Sequence, residues 1–151
     1  MNASTPPTDG PKLPEALTGH VGYLGVVLGQ RSQARFEEAM ARLGIRPVHY
    51  DYLATLAEGG PMAQKDLARL VEVDAARIVS LTDELESRGL VDRAVDPADR
   101  RRNLVSLTRD GRALFARAQK VAARVENDLL ASLSTAERDS LRRLLRLALD
   151  L

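Results

Sequence analysis

Leu90-Val91-Asp92-Arg93-Ala94-Val95-Asp96-Pro97-Ala98-Asp99-Arg100-Arg101-Arg102-Asn103-Leu104-Val105-Ser106-Leu107-Thr108 is the stretch whose reading decides the fold. Residues 90–95 are β-competent, and Asp96-Pro97-Ala98-Asp99 is a turn signal. Residues 103–107 end in the polar–apolar alternation of a half-buried strand. Two short strands joined by a polar tip make a β-hairpin, and this tip carries three consecutive arginines. Between Arg93 and Arg112, six Arg stand against three Asp. Adjacent arginines repel one another, and an exposed pair with Asp99 offsets only ~0.5 kcal/mol of that. Stability is therefore a poor reason for the cluster.

Upstream of the hairpin, Asp74 is a good N-cap for a helix over 75–88 whose core face is Ile78, Leu81 and Leu85, closed by Gly89. Glu72-Val73-Asp74 reads as a tight turn after a short helix over 63–70. Pro47 opens another helix that runs to about residue 58 and ends at Gly59-Gly60-Pro61. A long helix is expected over 15–43, because Leu17, Val21, Leu24, Leu28, Phe36, Met40 and Leu43 recur at three-to-four spacing, with Gly44 as its cap. Gly19, Gly22, Gly25 and Gly29 weaken it by ~1 kcal/mol each against Ala. The last three fall near one face, where another helix can approach. Downstream, Thr108 caps a helix to about residue 130 with Leu114, Ala118, Val121, Val125 and Leu129 on one stripe. Ser134-x-x-Glu137 is a capping box for a last helix bearing Leu141, Leu144, Leu145 and Ala148. The expected class is mainly α (α+β), in the order α-α-α-α-β-β-α-α.

The 151 residues suit one domain, over 15–151, behind a polar, Pro-rich tail over 1–14 that reads as disordered. Aromatics make up only 3%, so Leu, Val and Ala must build the core, which favours helix-on-helix packing. The absence of Cys excludes disulfides, thiolate metal sites and thiol redox sensing. The apolar run 21–28 is short and broken by Gly22 and Gly25, so no membrane span is expected. No secretory leader is visible, which makes the cytoplasm the expected compartment. No phosphate loop, GxGxxG or nucleophile–base pair appears, so no catalytic residue, metal or cofactor is expected, and an enzyme is the weakest class. Net charge is only +1, so the argument for nucleic acid rests on where the arginines stand and not on their sum.

Two short helices, a tight turn and a basic hairpin describe a winged helix-turn-helix. A helix over 75–88 is slim enough for the major groove, where base edges are distinguishable, while an arginine-tipped wing suits the deep negative potential of a narrow minor groove. The same residues resemble the MarR family of transcriptional regulators. The resemblance is carried by Leu67-Ala68, Leu85-Glu86-Ser87-Arg88-Gly89-Leu90-Val91, Asp96-Pro97-Ala98-Asp99-Arg100-Arg101 and Val105-Ser106-Leu107-Thr108-x-x-Gly111. Leu43-Gly44-Ile45-Arg46-Pro47 and Leu133-Ser134-Thr135-Ala136-Glu137 extend it over roughly residues 15–150.

The resemblance implies a two-fold dimer with a winged core over about 47–108 and dimerisation helices over about 15–43, 109–131 and 135–150. Leu17, Val21, Leu24, Leu141, Leu144, Leu145 and Ala148 would line its interface. It implies that Arg101 enters the minor groove beside Arg100 and Arg102, with Asp99 orienting the tip. Gln64 and Lys65 would touch the DNA backbone, and Asp74, Ala75, Ala76, Arg77 and Ser80 would present the recognition helix. The sequence departs from the family at position 80, where Ser replaces an arginine; Arg77 is the substitute guanine reader, with pairing to Asp74 as its alternative role. An effector site for a small phenolic or carboxylate compound would use His20, Tyr23, His49, Tyr50 and Tyr52, against the alternative that Tyr50 and Tyr52 are core aromatics and His49 a satisfied surface residue. The expected function is a sequence-specific regulator, a repressor on palindromic double-stranded DNA, acting as a homodimer released by an aromatic or anionic effector. The alternative is an architectural or partner-binding winged-helix protein.

Overall fold

The computed structural model describes residues 13–151, so the tail expected over 1–14 lies outside the described residues except for Leu13 and Pro14. Its elements are α1 (Glu15–Thr18), α2 (Val21–Ala41), α3 (Pro47–Gly59), β1 (Met62–Ala63), α4 (Gln64–Leu70), α5 (Ala75–Ser87), β2 (Val91–Val95), β3 (Asn103–Leu107), α6 (Arg109–Leu129) and α7 (Thr135–Ala148). The fold is mostly helical with a small antiparallel sheet, as the patterning indicates.

Two departures have physical causes. The single helix expected over 15–43 is broken at Gly19 and His20, where His20 is extended at φ −105° and caps nothing with its side chain. No residue of α1 is buried, so no packing within the chain offsets the helix cost of Gly19. The sheet also has a third strand, β1, which pairs Met62 with Val105 and Ala63 with Leu104. Two residues are too few to show a period of two, so the strand left no pattern to read. It fixes the order β1-β3-β2 and makes β3 central.

The core lies where α3, α4, α5 and the sheet meet α6. Tyr52, Leu53, Leu67, Leu81, Leu85, Val91 and Val105 are fully buried, and Met40 and Phe115 join them from α2 and α6. Gly89 stands at φ 68°, where a side chain is strained. That turn directs the chain from α5 into β2, with Leu90 N–H donating to the Leu85 carbonyl. Thr108 caps α6, its Oγ1 accepting from Gly111 N at 3.0 Å and donating to the Gly89 carbonyl at 2.7 Å. The Ser134–Glu137 capping box opens α7 as expected.

α7 differs from every other long helix. No residue of it is buried. Arg142 pairs with Glu126 at 3.0 Å and Arg138 Nη1 donates to Asn127 at 2.7 Å, so polar contacts tie its first half to α6. Its leucines have no such cover: Leu144 is 51% and Leu145 42% exposed. At the other end of the chain Val21 is 83% exposed, with Leu17 and Leu24 also open. A cleft of about 330 Å³ lies between α2, α6 and α7, bordered by Gly25, Leu28, Leu141 and Leu145. A Cβ at Gly22, Gly25 or Gly29 would meet nothing within 4 Å, so the small-residue face of α2 is unfilled by the chain itself.

Candidate nucleic-acid interface

α5 is the second helix of the helix-turn-helix. Its N-cap is Asp74, whose Oδ1 accepts from Arg77 N at 2.7 Å. That carboxylate thus serves the backbone, and the Arg77 guanidinium pairs with no carboxylate among the described residues. A cation in the first turn opposes the helix dipole by ~0.3–1 kcal/mol, so Arg77 is not placed there for stability. Ile78, Leu81, Thr82 and Leu85 are buried, while Ala75, Ala76, Arg77, Val79 and Ser80 are exposed.

Three links hold α5 in place. Thr82 Oγ1 donates to the Ile78 carbonyl at 2.7 Å, so the Tyr52 hydroxyl, 2.7 Å from Thr82, is the donor in that buried pair. Burial pushes the Tyr52 phenol up to about 12. Arg93 on β2 grips both Asp83 and Glu86, joining the base of the hairpin to α5 and neutralising two carboxylates on its flank. His49 is fully buried: its Nδ1 accepts from Arg46 N at 3.2 Å, and its Nε2 lies 2.8 Å from Arg46 Nη2 and 3.3 Å from Glu84 Oε1. Arg46 also donates to Glu84, at 2.6 Å.

Burial holds His49 below its ordinary value of 6.5, although Glu84 opposes the shift; Arg46 and Arg88 reinforce it. The folded protein therefore resists taking up a proton that the unfolded chain accepts. Stability should be complete above roughly pH 6.5 and decline as pH falls below it. Urea denaturation at falling pH checks this, with His49→Gln expected to flatten the decline; an equal decline in that variant rejects His49 as its source.

The hairpin tip is built by its aspartates. Asp96 Oδ1 accepts from Ala98 N at 2.8 Å, and Asp99 Oδ1 accepts from Arg101 N at 3.0 Å. These local bonds are the mechanism behind an Asp-Pro-x-Asp turn. Asp99 therefore shapes the backbone under Arg101 and does not grip its guanidinium. Arg100 and Arg101 are exposed and pair with no carboxylate among the described residues. Arg102 leans back toward Asp66 of α4, at 3.7 Å. On α4, Lys65 is exposed, but the Gln64 side-chain amide nitrogen is buried without a partner. The residue as a whole is half-buried.

None of the five residues expected around an effector lines the cleft between α2, α6 and α7. Tyr52 is buried with its hydroxyl engaged, and His49 is held by Arg46 and Glu84. Tyr50 is half-buried between Phe36 and Phe115, with ring centroids 5.2 and 5.6 Å away. Tyr52 is a core aromatic and Tyr50 packs beside the core, while His49 is buried and not at the surface as its alternative role required. His20 is exposed and Tyr23 half-buried, at the start of α2. The sequence did not single out Arg46, Glu84, Asp83 or Thr82, because each acts through a partner far along the chain.

Comparison with known proteins gives this surface a context. A model described as MarR family matches residues 43–102. The HTH-type transcriptional repressor NicR of Pseudomonas putida is 31% identical over 152 residues, covering 99% of this chain and 96% of the relative. The chain belongs to the MarR family. Among solved structures, the transcriptional repressor CouR bound to a 23-mer DNA duplex is 30% identical, with a TM-score of 0.78 over 91% of this chain and 98% of CouR. Bordetella bronchiseptica BpsR, whose DNA binding is regulated by 6-hydroxynicotinic acid, is 30% identical with a TM-score of 0.74, over 94% of this chain and 99% of BpsR. This MarR-family chain is a DNA-binding transcriptional regulator and not an enzyme. No helix among the described residues is long and apolar enough to cross a membrane.

Proposed function

We propose that the protein is a sequence-specific repressor that acts in the cytoplasm as a homodimer on an inverted-repeat operator. The observation that carries this reading is the pairing of an exposed, side-chain-capped α5 with an exposed arginine tip. Arg77 at one and Arg100 and Arg101 at the other are free of carboxylates among the described residues. α5 is slim enough for the major groove, with Arg77 as its guanine reader and Asp74, Ala75, Ala76 and Ser80 around it. The tip sits in the adjoining minor groove, with Arg101 inserted and Arg100 and Arg102 near phosphate. Lys65 adds a backbone contact that positions the module.

The winged core is about 47–108. Dimerisation falls to about 15–43, 109–131 and 135–150, through the exposed Leu17, Val21, Leu24, Leu144 and Leu145 together with Leu141 and Ala148. Two recognition helices in a two-fold dimer read half-sites about one helical turn apart. An effector that binds a dimer with mismatched spacing better than the DNA-fitted one releases the operator. The named ligands of two relatives, 6-hydroxynicotinic acid and p-coumaroyl-CoA, favour an aromatic or anionic compound. Of the expected set, His20 is exposed and Tyr23 and Tyr50 are half-buried, which leaves these three able to meet one.

Selection of bound sites from random duplexes tests the reading, and an inverted repeat among the winners is the expected result. On that site Arg101→Ala should weaken binding to every sequence and lower the magnitude of the salt slope by about 1.8, one contact being lost from each subunit of the dimer. Arg77→Ala should cost ~1–3 kcal/mol per half-site and relax one position in each. Winners without shared sequence would overturn sequence-specific recognition.

A further inference from the structure

Val79 is exposed on a helix whose other large aliphatic side chains, Ile78, Leu81 and Leu85, are buried. It is 45% exposed and lies one turn before Asp83, on the flank that faces the hairpin, because Arg93 of β2 reaches Asp83 and Glu86. Beside it on the outward face stand Ala76 and Ser80. This face holds no Asn or Gln, the side chains that read adenine by paired hydrogen bonds. Its nearest carboxylate, Asp83, is already held by Arg93, so the patch offers methyl groups and one hydroxyl without a free charge. An open β-branched side chain contributes nothing to the core from there and lowers helix propensity slightly.

We propose that Val79, with Ala76, is a specificity-determining contact for the 5-methyl group of thymine in the major groove. This rests on the reading of α5 as the recognition helix and names what that helix recognises. The thymine methyl is the one apolar feature among the base edges of that groove, and it matches the chemistry of this face. Arg77, on the opposite edge of α5, is left to read guanine. Each half-site then combines a guanine at the Arg77 edge with thymines under Val79 and Ala76.

The test uses the full-length protein and the site that it selects from random duplexes. Each thymine of a half-site is replaced in turn by deoxyuridine, which pairs identically and lacks only the methyl. At one or two positions the wild-type protein should bind about fourfold more weakly per methyl removed, from the transfer free energy of one buried methyl group. Val79→Ala should bind the thymine site more weakly and lose the deoxyuridine penalty at one of those positions, while its unfolding midpoint stays at or above that of wild type. If no deoxyuridine matters, or if Val79→Ala keeps every penalty, the methyl reading is wrong while the regulator reading stands. If no sequence is enriched at all, both fail.

Discussion

Replacing Leu144 or Leu145 by Asp is expected to turn the protein into a monomer that has lost almost all operator affinity. Both side chains lie open on α7, a helix that buries nothing in its own chain, so neither substitution removes a contact from the protomer core. In the proposed dimer both leucines are covered, and burying one stabilises by ~1.5–3 kcal/mol. A carboxylate in the same place loses that term and adds an uncompensated buried charge, worth a further ~3–5 kcal/mol. Two-fold symmetry places the change in both subunits, so each substitution counts twice. Even ~4 kcal/mol in total raises the dimer dissociation constant about a thousandfold. Sedimentation should show monomer, circular dichroism should show retained helix, and titration on the selected duplex should show only the weak affinity of one half-site. A monomeric variant that still bound tightly would contradict the two-fold reading.

Much of this fold is written locally, and those parts were legible. Asp74, Thr108 and Ser134 each cap the helix that their position suggests, because an N-cap bond spans only three residues. The hairpin register follows from its turn, where Asp96 and Asp99 bond to amides two residues on. What escaped depends on distance along the chain. β1 exists because Met62 and Ala63 meet β3 forty residues later, and nothing in two residues announces it. His49 and Tyr52 looked free to hold a ligand until α5 brought Glu84 and Thr82 against them. For the proposed DNA contacts the sequence offered a local signal: Arg77, Arg100 and Arg101 were singled out by their positions in a cap turn and a hairpin tip, and all three are exposed.

Gly111→Ala should destabilise the protein by about 3 kcal/mol or more, although the residue lies in the first turn of a helix where Ala is normally the better choice. Helix propensity alone would favour the change by ~1 kcal/mol. The backbone of Gly111 needs no left-handed conformation, so strain in φ is not the issue. Space is. A Cβ built there falls 2.0 Å from the Leu90 carbonyl oxygen, 3.0 Å from its carbon and 3.3 Å from Leu107 Cδ2. The oxygen cannot swing aside, because it accepts the Thr108 amide at 3.1 Å and belongs to the residue just before β2. Relief therefore requires α6 to lift away from the hairpin by more than an ångström, which breaks the Thr108 cap and opens the packing of Leu107, Leu114 and Phe115. Thermal unfolding should move down by roughly 6–12 °C for a chain of this size. Because α6 belongs to the proposed dimer and the hairpin carries the wing, the same lift alters how the wing is aimed relative to the two-fold axis. At temperatures where the variant is still folded, its affinity for the inverted repeat should fall further than its affinity for bulk DNA. An unfolding midpoint equal to or above that of wild type would mean that α6 and the hairpin do not meet at Leu90 as closely as described.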